Sequence, residues 1–212
     1  MQLPQTYVKN GLVLWLDGIN KGSTADTWTD LISGHQYVAN NGVIFGNSYV
    51  ELDGSKSQFL SNSTFASPNA TDGTIEIVLS DFTQGTNQVV YMPRYDYDSG
   101  DTVGGIAFGL YGSSYAIWSA SRGTNMVAVQ NGFSVISINL LNAIKDGNIA
   151  NTGNTNNWSN ATEYSYIGRR SGGTYFTGKI HAIRIYNRRL SVNEMTRNQK
   201  IDNKRFNLGL SI

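Results

Sequence analysis

Apolar residues in this chain recur with a period of two, in short runs broken by turn signals. That pattern constrains the fold more than any other feature. Tyr49-Val50-Glu51-Leu52-Asp53 alternates, with Val50 and Leu52 facing inward and Asp53-Gly54 closing the segment. In Thr74 to Leu79, Ile75, Ile77 and Leu79 share one face. Leu12 to Leu16 is apolar at every position, which predicts a central strand covered on both faces and ended by Asp17-Gly18. Segments 105–110, 115–119, 126–129, 133–141 and 164–167 read as further strands, and 179–186 as a long late one. Ser33-Gly34, Asn41-Gly42, Asn131-Gly132, Asp146-Gly147 and Gly172-Gly173 mark turns between them, and the Asn-rich stretch 148–160 reads as a long loop. Strands at such spacing, with no helical periods between them, predict an antiparallel sandwich or barrel.

One helix is expected, near the C-terminus. Ser191-Val192-Asn193-Glu194 is a capping box, in which the serine hydroxyl accepts from the third helical amide and the glutamate reaches back. The helix should run over 191–203. Val192, Met195 and Gln199 make a narrow face, too weakly apolar for a buried helix, so the edge of the sandwich is its expected place.

Composition removes several functional classes. Charged residues are 15% of the chain, against ~25% in an average domain, and the net charge is +1. Neither a nucleic-acid footprint nor a polybasic membrane face is present. The absence of cysteine excludes disulfides, thiolate catalysis and zinc–cysteine or iron–sulfur sites. The stretch from Met1 to Tyr7 lacks a basic and then apolar leader. The apolar run 12–16 falls far short of the ~20 residues that span a bilayer. The expectation is a soluble chain without a secretion signal.

The most specific block is C-terminal. Tyr166-Ile167-Gly168-Arg169 leads into Phe176-Thr177-Gly178-Lys179-Ile180-His181-Ala182-Ile183-Arg184-Ile185-Tyr186-Asn187-Arg188-Arg189-Leu190-Ser191 and then Glu194. Near the N-terminus stand Gly11-Leu12-Val13-Leu14-Trp15-Leu16-Asp17 and Trp28-Thr29-Asp30-Leu31, followed by Phe45-Gly46 and 49–54. Together these resemble a laminin-G-like domain of the concanavalin A-like lectin/glucanase superfamily, over about residues 10–206. The middle departs from the pattern: a "v.lYvNG" strand is replaced by Ser137-Ile138-Asn139-Leu140-Leu141-Asn142. The resemblance implies an all-β, two-sheet antiparallel jelly-roll sandwich with one short C-terminal helix. It divides the chain into an arm at 1–10, the sandwich at 11–206 and a tail at 207–212. Its fold hosts glycanases, lectins and adhesive modules alike.

Catalytic members of that superfamily carry a Glu-x-Asp-x(x)-Glu strand, because retaining cleavage needs two carboxyl groups ~5–5.5 Å apart. Here Glu51-Leu52-Asp53 is followed by Gly54-Ser55-Lys56, and Glu76 stands alone. A displaced Glu51/Glu76 pair is the sole glycanase reading left. His35 and His181 lie beside no nucleophile motif and read as structural or surface residues. Asp96, Asp98 and Asp101 flank a glycine within six residues, a candidate calcium loop that is equally readable as a solvated hairpin tip. No other cofactor is implied. Glycan binding needs rings for sugar C–H faces and planar polar groups for hydroxyls. Loop-borne candidates are Arg94, Tyr95, Tyr97, Arg122, Trp158, Arg169, Arg170 and Tyr175, each also readable as an ordinary surface residue. Trp15, Trp28 and Trp118 read as core or sheet residues.

The reading that follows is a non-enzymatic lectin-like structural or adhesive protein of a phage particle: a capsid decoration, head-fibre or tail component attached to surface glycans. Its partners would be other virion proteins or polysaccharide, with oligomers allowed. The arm and the tail from Phe206 would contact neighbouring subunits. The alternative is a free-standing or secreted bacterial carbohydrate-binding module.

Overall fold

A computed structural model describes residues 7–22, 26–64, 73–83, 87–93, 107–112, 114–119, 122–128, 134–139, 142–151, 165–170 and 173–212. Of 93, 107, 111, 116–119, 122–128, 150 and 151 it describes the backbone alone. The first strands are β1 (Leu12–Asp17), β2 (Thr27–Thr29), β3 (Gln36–Asn40), β4 (Ile44–Phe45), β5 (Val50–Leu52) and β6 (Phe59–Asn62). The middle of the chain forms β7 (Thr74–Ser80), β8 (Gln88–Pro93), β9 (Ala107–Tyr111), β10 (Ser114–Ser119), β11 (Arg122–Ala128), β12 (Ser134–Asn139), β13 (Asn142–Lys145) and β14 (Asn148–Asn151). β15 (Ser165–Ile167), β16 (Arg169–Arg170), β17 (Thr174–Tyr175), β18 (Gly178–Tyr186) and helix α1 (Val192–Arg205) complete it.

These strands make two eight-stranded antiparallel sheets and a small β16–β17 hairpin. Sheet A runs β14-β13-β12-β7-β18-β5-β4, and sheet B runs β11-β10-β9-β8-β15-β6-β3-β2. The chain is thus an all-β two-sheet sandwich of jelly-roll type with one short C-terminal helix. No helix among the described residues is long and apolar enough to cross a membrane.

β18 is the hub of sheet A. One edge pairs with β7 from Lys179 to Tyr186. The other is divided between β5, opposite Gly178–Ile180, and β1, opposite Ala182–Tyr186. Alternation sends Ile180, Ile183 and Ile185 into the core between the sheets, with Leu14, Leu16, Val50, Leu52, Ile75, Ile77 and Leu79. Sheet B answers with Trp28, Tyr37, Leu60, Phe108, Leu110, Tyr115 and Ile167. Trp15 and Trp28 are fully buried, as expected of Trp15 from its apolar run and of Trp28 from its place in the resembled pattern.

Four expectations are corrected. β1 is covered on both faces but is not central, since β18 is its sole partner strand among the described residues. Its free edge is closed instead by residues 30 and 31: the Asp30 carboxylate accepts from the Trp15 amide at 2.7 Å, and the Leu31 amide donates to the Trp15 carbonyl. The first residues of the Asn-rich stretch are strand β14, turned by Asp146-Gly147 with both φ positive; 152–164 lie outside the described residues. Tyr7, Val8, Phe206 and Leu208, expected to reach neighbouring subunits, are buried against this chain's own sheet A.

The fourth correction concerns α1, which lies across the outer face of sheet A instead of at an edge. Its buried residues are Met195, Asn198, Gln199 and Asp202. A mostly polar face is tolerated there because its partners are polar too and every group is used. Gln199 donates to the carbonyls of Val135 and Ile144 and accepts from the Gly147 amide. Asn198 donates to Glu76 and to the Tyr186 hydroxyl, and accepts from the Val8 amide. At the centre Arg184 gives Nε to Glu76 at 2.9 Å and Nη1 to Asp202 at 2.9 Å. Tyr7 lays its ring against that guanidinium and donates its hydroxyl to Asp202. Burial raises the Glu76 carboxyl, with Arg184 opposing.

Removing one partner leaves the others charged and buried, at a cost of about 3–5 kcal/mol. Asp202→Ala should therefore lower the unfolding free energy by that amount in a denaturant titration, and a change under 1 kcal/mol would contradict this role for the cluster. His181, on the same face, bonds Ser80 and the Ser48 carbonyl. Burial lowers it from 6.5 to about 4, the hydrogen bond to Ser48 opposing. Between those values the unfolded chain takes up a proton that the folded protein refuses. Its contribution is thus intact above pH 6.5 and declines toward pH 4, by roughly 3 kcal/mol at most. Glu194, held at about 2 by Arg188, loses its share only below pH 4.5. His181→Gln should therefore flatten stability against pH from 6.5 to 4.5, and an unchanged slope would count against the assignment.

Candidate functional site

With the outer face of sheet A sealed by α1, the outer face of sheet B is the open one among the described residues. Alternation decides what it displays. Leu60 and Ile167 point into the core, so their neighbours Phe59, Ser61 and Tyr166 point out. Register then aligns them: Val38 stands opposite Ser61, Ser61 opposite Tyr166, and Asn40 opposite Phe59. An open groove of about 680 Å³ runs over these residues, with His35 and Asn62 to Thr64 on its rim.

The hairpin β16–β17 supplies the other wall. Gly168, at φ 79°, turns the chain out of β15. A Cβ there would stand 2.3 Å from Leu52 Cδ1, so the close approach requires glycine. Arg169 and Tyr175 pair across the hairpin and therefore share a face. The Arg169 guanidinium lies 4.6 Å from the Phe59 ring centroid and 5.3 Å from that of Tyr166. Phe59 meets Tyr166 edge-on at 6.0 Å and Tyr175 at 6.3 Å. Asn40 donates to the Val38 carbonyl and to Ser61 Oγ, which fixes the amide plane. The result is a ring cluster with a planar cation and a planar amide beside it, all carried by strands.

Of the loop-borne candidates, Arg169 and Tyr175 are brought together here. Arg170, next along β16, faces the other way and is half-buried. Arg122 opens β11, four strands from β15 in sheet B, or roughly 19 Å at ordinary strand spacing; its side chain lies outside the described set. Arg94, Tyr95, Tyr97 and Trp158 lie outside the described residues, and so do Asp96, Asp98 and Asp101 of the candidate calcium loop. Among the described residues no group of His, Asp and Glu is arranged to hold a metal ion. Phe59, Tyr166, Asn40 and Ser61 are not among the glycan candidates of the sequence, and His35 reads there as a structural or surface residue. The signal for the first two was an aromatic residue next to an inward-facing Leu or Ile.

The Glu51/Glu76 pair is corrected. Glu76 is buried beneath α1 and bonded by Arg184, Asn198 and Ser137. Glu51 stands opposite Lys179, which pairs with Ser80, so the two carboxyls are separated by roughly 13 Å along the strands alone. Glu76 is enclosed by its protein partners, and the spacing exceeds either glycosidase geometry. His181 is buried, as a structural histidine should be.

No protein-family profile and no curated protein sequence matches this chain. Solved structures do. Trypanosoma rangeli sialidase in complex with the inhibitor DANA superposes with a TM-score of 0.66 at 13% identity, over 91% of this chain and 33% of the sialidase. A structure described as a receptor binding domain superposes with a TM-score of 0.63 at 9% identity, over 90% of this chain and 51% of that one. The chain spans about a third to a half of the proteins it resembles. At such identities the likeness establishes the β-sandwich fold, and nothing more specific.

Proposed function

We propose that this protein is a non-enzymatic, lectin-like β-sandwich that holds glycans on the outer face of sheet B. The observation that carries the reading is the joint display of Phe59 and Tyr166 with Asn40 and Arg169 in one open groove, with the Tyr175 ring beside Phe59. Rings cover the C–H faces of a sugar, while an amide and a guanidinium satisfy pairs of hydroxyls. Strand-borne groups lose little freedom on binding, so less of the contact energy is spent on ordering them. The groove is open, and the described residues that line it include no paired carboxylates, which favours holding over cleavage.

We place such a domain on a phage particle, as a capsid decoration, head-fibre or tail component, on the strength of the C-terminal run from Gly178 to Glu194. Its partners there would be virion proteins and surface polysaccharide. Detection in purified particles supports this placement, and a clean absence from them removes it.

A glycan array tests the binding function. The native protein should bind a narrow set of sugars. Phe59→Ala and Tyr166→Ala should each weaken that binding by about 5- to 10-fold while leaving the unfolding transition in place. A chelator arm reports on the loop from Asp96 to Asp101. Binding to no glycan, or binding indifferent to both substitutions, would overturn the assignment of this face.

A further inference from the structure

The groove's own charge narrows the ligand. Arg184 meets Glu76 and Asp202, Arg188 meets Glu194, and Arg205 meets Asp17. Among the described residues Arg169 meets no carboxylate. Its guanidinium touches the rings of Phe59 and Tyr166, and its Nε is buried without a hydrogen-bond partner. No Asp or Glu is among the described residues that line the groove, and His35 on its wall is a basic residue type.

Such an arrangement has a stated cost and a matching use. A half-buried guanidinium with unused donors is a partly desolvated charge, and a protein that only needed to cover Phe59 could do so with an apolar residue. Lying against two rings restrains the guanidinium without consuming its N–H groups. What a fixed, unpaired fork recognises best is a planar or tetrahedral oxyanion, through two parallel charge-assisted hydrogen bonds. With no acidic side chain among the described residues of the groove to compete, those residues are complementary to an anion.

We infer that the groove selects acidic glycans, seating a sugar carboxylate or sulfate ester against Arg169 while the neighbouring ring packs on Phe59 and Tyr166. This rests on the glycan-binding reading of the same groove. Neutral sugars would share the ring contacts and the Asn40 amide but offer the fork hydroxyls only, with no charge to meet its own.

The test is an array of matched pairs: glucuronate against glucose, galacturonate against galactose, and sulfated against unsulfated forms of the same oligosaccharides. Native protein, Arg169→Gln and Arg169→Lys are compared at low and at high salt. The expected result is at least a 10-fold preference for the acidic member, weakened by salt. Arg169→Gln should collapse it to near parity, weakening the acidic member at least ~10-fold and the neutral member far less, and Arg169→Lys should keep part of it. The pairs that respond tell carboxylate from sulfate. The ratio within each pair is its own control, since a misfolded variant loses both members together. Equal binding of acidic and neutral members by native protein would overturn the inference while the glycan-binding reading stands. A preference that survives Arg169→Gln would overturn it as well. If no member of any pair binds, the glycan-binding reading itself fails.

Discussion

The contact on which the rest of the architecture depends is the buried fork of Arg184 between Glu76 and Asp202. Arg184 and Glu76 face each other across β18 and β7, the two central strands of sheet A. Asp202 comes from α1, and Tyr7 from the segment before β1. One guanidinium therefore ties together the middle of a sheet, the terminal helix and the N-terminal approach. Hydrophobic burial alone would let α1 slide or rotate over this face, since its apolar contribution is small. Directional bonds from Asn198, Gln199 and Asp202 fix its register, and every acceptor left without its donor would be costly. The same contact has a functional consequence. By spending the outer face of sheet A on a helix, the fold leaves sheet B as the face on which side chains remain available.

Much of this was legible in the residues. Period-two patterning at Val50/Leu52 and at Ile75/Ile77/Leu79 identified core-facing strands, because a sandwich buries one side of each. The Ser191–Glu194 capping box located the start of α1, since cap chemistry is local. Asp146-Gly147 marked a hairpin turn for the same reason. The burial of Trp15 followed from its apolar neighbours, whereas that of Trp28, between two threonines, followed only from the resemblance.

What was not legible depends on partners remote in sequence. The place of α1 was misjudged because an apolar count cannot see that Asn198 and Asp202 meet Glu76 and Arg184, and a polar face reads as exposed until its partners are known. β1 looked central because both its faces are covered, yet its free edge is closed by a loop carboxylate, Asp30, which no periodicity reports. The groove escaped for a related reason. Phe59 and Tyr166 lie on strands more than a hundred residues apart in the chain, and only register sets them side by side. Searching loops for exposed aromatics found Arg169 and Tyr175 but not the strand-borne rings that they complete.

The central claim is that the outer face of sheet B is the ligand surface. A backbone amide titration of isotopically labelled protein with a uronate oligosaccharide tests it most directly. The account predicts saturable chemical-shift changes concentrated in residues 36–40, 59–64 and 165–170, with α1 and the outer face of sheet A silent. Saturable changes that spare those residues and fall on α1, on β7 or on the far strands of sheet B would contradict it.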